Sequence, residues 1–246
     1  GGAVIGVTEH RACGEDLVEA ERAAVEPLVR DYSGASRPWQ INAARVLCSI
    51  QGSTARQALL QMLQAGNDDL NKSICDLMTP AMRAMESKEQ ALFYNELETF
   101  AKKLDEKQQR PAVVSVIRLL GQLGRADARR WLFRFVGPEH HPVLRSHALV
   151  ALLRCLREQD LRKDEYAKLF PLLEEADMTE VTRLALELLD KHELPDDSRS
   201  LLSRLLESRH PDVQKFALRK MADFNTPATV RTLIEQLGDA DYRRRD

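Results

Sequence analysis

The chain has 246 residues and a formal net charge of −2, with 5% aromatic residues and only 11 glycines. This composition is typical of all-helical proteins, and no apolar run approaches the roughly 18 residues that a membrane span needs. The four cysteines form no C-x-x-C pair, which argues against a disulfide framework and favours a reduced, cytoplasmic location.

Residues 1–35 are predicted to form an N-terminal tail and a capping helix. Residues 1–13 show no sustained period, whereas the helix that follows carries acids in its first turn, where they suit the helix dipole. The chain begins with Gly1 and Gly2 rather than methionine. We therefore expect a processed or excised start. Because the last unit is cut off inside its first helix, we also expect a fragment of a longer protein.

From residue 36 onwards, one helical stripe recurs five times. Its apolar or small residues stand at offsets of 0, 4, 7 or 8, and 11, which place them on one face of a helix. The stripes begin at Trp39, Ala112, Leu144, Val181 and Val213. The fourth-offset residues are Ala43, Val116, Ala148, Ala185 and Ala217. A period of about 31 to 37 residues is typical of helical solenoids, and alanine at this offset lets two helices approach closely.

Each stripe is followed by a short turn and a second apolar helix, so the repeating unit is a helical hairpin. The second unit is the irregular one: Thr79–Pro80 is predicted to interrupt its first helix, and its second helix is predicted to extend to Gln109. No stretch alternates with period two, so no sheet is expected. The predicted units span about 36–66, 67–109, 110–138, 139–176, 177–208 and 209–238, with a truncated unit at 239–246.

This pattern resembles the HEAT-repeat family, including the repeats of the phycobilin lyase type. Each unit has a proline or aspartate opening, an alanine-centred helix, a short turn and a second apolar helix. The resemblance covers about residues 36 to 246 and implies an all-α, right-handed α–α superhelix of about six hairpin units. It also implies that the first helices lie on the convex side and that the second helices line the concave side.

The charged residues are distributed in two blocks of opposite sign. Residues 110–163 hold 11 lysines and arginines against 4 acids, whereas residues 164–198 hold 3 against 11. In an elongated stack these blocks become neighbouring slabs, which predicts a bipolar electrostatic field.

Arginine recurs at one position of the second helices. Arg56, Arg129, Arg199 and Arg231 each follow the first apolar position of such a helix, which Ser198 occupies before Arg199, and Arg130 and Arg134 add to the third unit. These side chains either pair with acids of neighbouring units or form a basic groove for an acidic peptide, a phosphate or nucleic acid. The candidate partner-binding residues are therefore Arg56, Arg129, Arg130, Arg134, Arg199 and Arg231. For Arg129 the sequence favours pairing, and for Arg130 and Arg134 it favours an unpaired patch.

No metal or cofactor site is predicted. His140, His141 and His147 lack the i, i+4 spacing that places two imidazoles on one helix face. His147 and His192 fall at stripe positions that are apolar in other units, so both are assigned to the core or its edge. Trp39 and Trp131 also belong to apolar faces and are expected to be buried rather than to stack on bases.

No motif of a catalytic site is present, so no catalytic residue is predicted. The sequence favours a non-catalytic scaffold that binds another protein or an acidic peptide on the concave face of the solenoid. The alternative is a nucleic-acid-binding solenoid, possibly of the alkylpurine DNA glycosylase type, which is built from HEAT-like units. Lyase activity of the phycobilin type is a further alternative, for which no residue can be named. The sequence pI of about 6.4 and the apolar placement of both tryptophans count against the glycosylase.

Overall fold

A computed structural model describes residues 19–30, 32–50, 52–157, 159–175 and 177–224. Within these ranges the regular secondary structure is helical and no strand occurs. The all-α repeat fold is therefore confirmed. None of the described helices is both long and apolar enough to cross a lipid bilayer. The chain divides into two compact units, Gly1–Leu123 and Gly124–Asp246.

The described residues of the first unit form six helical segments. Residues 19–30 are helical (α1), and the remaining helices are α2 (Arg37–Ile50), α3 (Ser53–Ala65), α4 (Asp68–Ala84), α5 (Ser87–Ala101) and α6 (Arg110–Leu123). Helices α2, α4 and α6 pack in sequence against one another, and α3 packs against α2, α4, α5 and α6. Two successive second helices, α3 and α5, therefore lie side by side.

The second unit uses shorter helices, several of which are extended by 3-10 turns. These are α7 (Arg129–Leu132), α8 (Pro142–Cys155), α9 (Lys163–Leu169), α10 (Glu180–Asp190), α11 (Arg199–Leu205) and α12 (Pro211–Ala222). The 3-10 turns Ala126–Ala128 and Phe133–Phe135 flank α7, and Phe170–Leu173 continues α9. Helix α10 packs against α8, α9 and α12, so its apolar residues form the centre of this unit.

The repeated stripe forms the core in both units. Ala148, Ala185 and Ala217 are completely inaccessible to solvent, and Ala43 and Val116 are also buried. A small residue at this offset allows the close helix packing that the repeat predicted. The stripe of α2 is the exception, because Val46 is 47% exposed whereas Ala44 and Leu47 take its place in the core.

Two predictions for the second repeat are wrong. Helix α4 continues through Pro80. A proline removes only one backbone hydrogen bond, and the buried side chains of Met78 and Met82 hold the helix in place on both sides of it. Helix α5 ends at Ala101 rather than at Gln109, because the Asp105 carboxylate accepts hydrogen bonds from the backbone N–H groups of Lys107 (2.8 Å) and Gln108 (3.1 Å) and stabilises a turn instead.

We expect Ala217→Leu to lower the free energy of unfolding by about 1–3 kcal/mol, because three extra carbon atoms must fit into a site without free space. Lys215→Leu places the same side chain on the exposed face of α12 and should have little effect. Chemical denaturation of both variants tests this. Equal stability of the two variants would contradict close packing at Ala217.

Candidate functional site

Arg56 on α3 is held by two carboxylates of α5. Its Nε and Nη2 atoms donate to the two oxygens of Glu96 at 2.9 and 3.0 Å, and its Nη1 atom donates to Glu89 at 3.2 Å. The residue is only 8% exposed, and its guanidinium lies 5.8 Å from the centre of the Phe93 ring. The hydrogen bonds to Glu96 raise the pKa of the guanidinium. Arg56 is therefore committed to interactions within the fold.

Arg129 at the start of α7 has an equivalent partner on α9. Its Nε and Nη2 atoms donate to both carboxylate oxygens of Glu165, and Nη2 also donates to the backbone carbonyl of Asp160 at 2.7 Å. Arg129 and Glu165 are 6% and 4% exposed. Glu165 additionally accepts the backbone N–H of Arg162 at 2.7 Å. Arg129 and Arg56 therefore both pair with an acid of the neighbouring repeat. Neither side chain is available to a binding partner.

Further ion pairs join side chains about one repeat apart, and we call the whole set the ionic ladder. Besides the pairs of Arg56 and Arg129, it includes Arg145–Glu175, Lys163–Asp197, Arg204–Glu174 and Arg219–Asp190. The acids of the block 164–198 therefore pair with cations that precede it and with cations that follow it. Much of the bipolar charge expected from the sequence is neutralised in this way.

Arg130 and Arg134 differ from their neighbours. Both side chains are exposed, and no carboxylate of the described residues lies within ion-pair distance of either. The nearest acid in sequence, Asp127, is held by Arg125 at 2.6 Å. Because the two positions are about one helical turn apart, their guanidinium groups lie on one surface. We call Arg130 and Arg134 the α7 cation pair.

The opposite face of the same segment is packed with aromatic rings. Trp131 is buried, its ring centre lies 4.7 Å from that of Phe135, and Phe135 lies 5.1 Å from the ring of His140. Trp131 therefore belongs to the core, as its place on the apolar face of its helix predicted, whereas Trp39, which was also expected to be buried, is half-buried. The rigid aromatic face fixes the backbone that presents the α7 cation pair.

Of the remaining two candidate arginines, the structure describes only Arg199. Arg199 is half-buried, lies 5.1 Å from the ring centre of Phe224 and is 3.6 Å from Asp196. Its Nε atom is buried without a hydrogen-bond acceptor among the described residues. Arg231 lies outside the described residues.

His140, His141 and His147 lie in different environments. His141 caps α8, because its Nδ1 atom accepts the backbone N–H of Val143 at 3.3 Å, whereas His140 and His147 are half-buried. No group of three or more histidine, cysteine or acidic side chains among the described residues is arranged to hold a metal ion.

Sequence reasoning missed the partners of the buried arginines. It named neither Glu165 nor Glu96 individually, and it did not single out Arg145, which is buried and pairs with Glu175. The available signal was weak, namely an acid about one repeat length before or after each ladder arginine. It becomes specific only when the register between neighbouring helices is known.

No family model matches the chain, and no curated protein matches it. Among solved structures the chain is similar to an engineered protein, with 16% identity and a TM-score of 0.47 over 81% of this chain and 96% of the other. It is also similar to the complex of CpcE and CpcF of the phycocyanin lyase from Nostoc sp., with 16% identity and a TM-score of 0.37 over 88% of this chain and 83% of the other. Because the identity is 16% and both TM-scores are below 0.5, neither likeness carries information about function.

We expect Arg129→Met to lower the free energy of unfolding by about 3–5 kcal/mol, because it leaves the buried Glu165 carboxylate without its cation. The double variant Arg129→Met/Glu165→Leu should recover most of this loss, because both charges are then absent. Denaturant unfolding of the two variants and the wild type measures the difference. A double variant no more stable than Arg129→Met would show that the loss does not come from the unpaired acid.

A second expectation concerns His192, which is buried near Asp160, Arg129, Lys220 and Glu165. Burial lowers the pKa of its imidazole in the folded state. The stabilising contribution is therefore complete above the unfolded pKa of about 6.5, and it is lost as pH falls through the lower folded pKa. We expect the free energy of unfolding of His192→Phe to fall less than that of the wild type below pH of about 6.5. The variant His141→Asn, at an exposed site, should show the same fall as the wild type. Denaturation at several pH values checks this, and identical pH profiles for His192→Phe and the wild type would contradict it.

Proposed function

We propose that this helical-repeat chain is a non-catalytic scaffold that binds an acidic segment of another protein through the α7 cation pair. The observation that supports this proposal is the contrast within one segment. Arg129 is buried and bonded to Glu165, whereas Arg130 and Arg134 are exposed and have no carboxylate of the described residues within ion-pair distance.

The chemistry of the guanidinium group fits a carboxylate partner. Its planar donors pair with both oxygens of a carboxylate, which favours a defined orientation. Exposed ion pairs of this kind contribute only about 0.2–1 kcal/mol each. The α7 cation pair would therefore act mainly on the rate and orientation of association.

Nucleic acid is the second candidate, because arginine also binds phosphate. A duplex binder of ordinary affinity makes about 6–10 phosphate contacts, whereas this surface offers two exposed arginines. The small number of exposed cations therefore favours a short acidic protein segment over a nucleic acid.

The test compares the wild type with Arg130→Gln/Arg134→Gln by fluorescence anisotropy, with a labelled glutamate-rich peptide and a 20-base-pair DNA duplex as probes. We expect the double variant to weaken peptide binding about 2- to 30-fold. Raising salt from about 0.05 to 0.2 M should weaken binding of the wild type more than binding of the variant. Arg154→Gln/Arg157→Gln removes two exposed charges at the end of α8 and is the matched control.

Three outcomes would contradict the proposal. Equal peptide affinity for both double variants would mean that only overall charge matters. Tighter binding of the duplex than of the peptide, lost in Arg130→Gln/Arg134→Gln, would favour the nucleic-acid alternative. Release of an alkylated base from a modified duplex by the wild type would contradict the non-catalytic assignment.

A further inference from the structure

A groove of about 550 Å³ lies between the second helices α3 and α5 of the first unit. Its apolar lining comes from Leu60, Leu92 and Phe100. Leu92 is 53% exposed, which is unusual for a large aliphatic side chain in this protein. On an adjoining face of α5, Phe93 and Leu97 are completely buried. Helix α5 therefore has apolar side chains on two faces, and packing within the first unit covers only one of them.

The edges of the groove carry uncharged hydrogen-bonding side chains. Gln57, Gln61 and Gln64 line it from α3, and Asn95 and Thr99 line it from α5. The spacings of three and four residues place each set on one face of its helix. Each amide offers both a donor and an acceptor, and the three glutamines and Asn95 are exposed.

The charge of the groove is concentrated at one end. Glu96 lines it, but both oxygens of this carboxylate accept hydrogen bonds from Arg56. Lys103 also lines it and is exposed, and no carboxylate of the described residues lies within ion-pair distance of its amine. The groove therefore offers one uncompensated positive charge beyond the end of α5.

We propose that this groove binds an extended peptide segment, uncharged along the groove and bearing a carboxylate at the Lys103 end. The amides match an extended backbone, because its N–H and C=O groups are unpaired, whereas those of a helix already bond to each other. A peptide with alternate side chains directed inward would place apolar groups on Leu92 and Phe100. A nucleic acid would require more cations than the single one available.

The dimensions agree with a short segment. From Leu92 to Lys103, the α5 stretch and the turn after it cover about 16 Å at a rise of roughly 1.5 Å per residue. An extended chain of about five residues spans the same length at roughly 3.3 Å per residue. This site lies in the first unit and shares no residue with the α7 cation pair of the second. The two proposals can therefore fail independently.

The experiment uses the whole chain and an array of acetylated heptapeptides that alternate apolar and uncharged polar residues and end in aspartate, asparagine or lysine. We expect the wild type to prefer peptides that end in aspartate. Lys103→Gln should weaken these about two- to fivefold and abolish the preference. Lys107→Gln, which removes a nearby exposed lysine outside the groove, should leave it unchanged.

Two further comparisons test the hydrogen bonds. N-methylation of alternate backbone amides in the best peptide should weaken binding about tenfold or more, because it removes donors without changing side chains. Gln61→Ala/Asn95→Ala should also weaken binding, whereas Gln108→Ala, an exposed glutamine outside the groove, should not. All substituted residues are exposed, and circular dichroism checks that each variant remains folded.

The proposal is overturned if no heptapeptide binds below a concentration of about 1 mM. It is overturned equally if N-methylation leaves the affinity unchanged whichever of the two alternate sets of backbone amides is methylated. It is also overturned if Lys103→Gln and Lys107→Gln behave alike. Arg130→Gln/Arg134→Gln should leave binding of these heptapeptides unchanged. Loss of binding in that variant would assign the peptides to the α7 cation pair and not to the groove.

Discussion

The constraint on which the whole structure depends is that no single hairpin can bury its own apolar stripe. The stripe is covered only when the first helices of successive repeats lie against each other. That approach requires a small side chain at its centre, and Ala148, Ala185 and Ala217 are completely buried there. Once the first helices are packed, the second helices are also brought side by side. A cation on one helix can then reach an acid about one repeat away in sequence.

The ionic ladder follows from this arrangement rather than causing it. Bringing Arg129 and Glu165 into the interior removes both from water, and such a pair gains little net stability compared with apolar residues of the same size. The pair instead affects the register between neighbouring helices. Arg129 bonds both oxygens of Glu165 and the carbonyl of Asp160, and a slip between α7 and α9 would leave several buried polar groups unpaired. We infer that the buried pairs help to select one alignment of neighbouring repeats.

The sequence predicts the architecture well because the stripe is periodic and each copy reports on the same packing. It fails where tertiary contacts outweigh a local signal: Pro80 lies inside a helix that Met78 and Met82 hold in the core. It predicts pairing for Arg129 and an unpaired patch for Arg130 and Arg134, but it does not identify Glu165 as the partner of Arg129, since that depends on how neighbouring repeats align. The groove at Leu92 was missed for a related reason. An apolar residue on a helix is normally assigned to the core, and only the structure shows that Phe93 and Leu97 already fill it.

The two proposed surfaces bind through different kinds of interaction, so their contributions can be distinguished in solution. The α7 cation pair acts through charge, so its contribution weakens as salt screens exposed groups. Most of the α3–α5 groove acts through amide hydrogen bonds and apolar contact, which salt screens very little, and only its Lys103 end is charged. The rate of association at the α7 cation pair should therefore depend on salt, whereas dissociation from the groove should depend mainly on its uncharged contacts. The charge of the α7 cation pair would attract many acidic proteins with little discrimination, whereas the hydrogen-bonding edges of the groove would discriminate among peptides by their backbone groups.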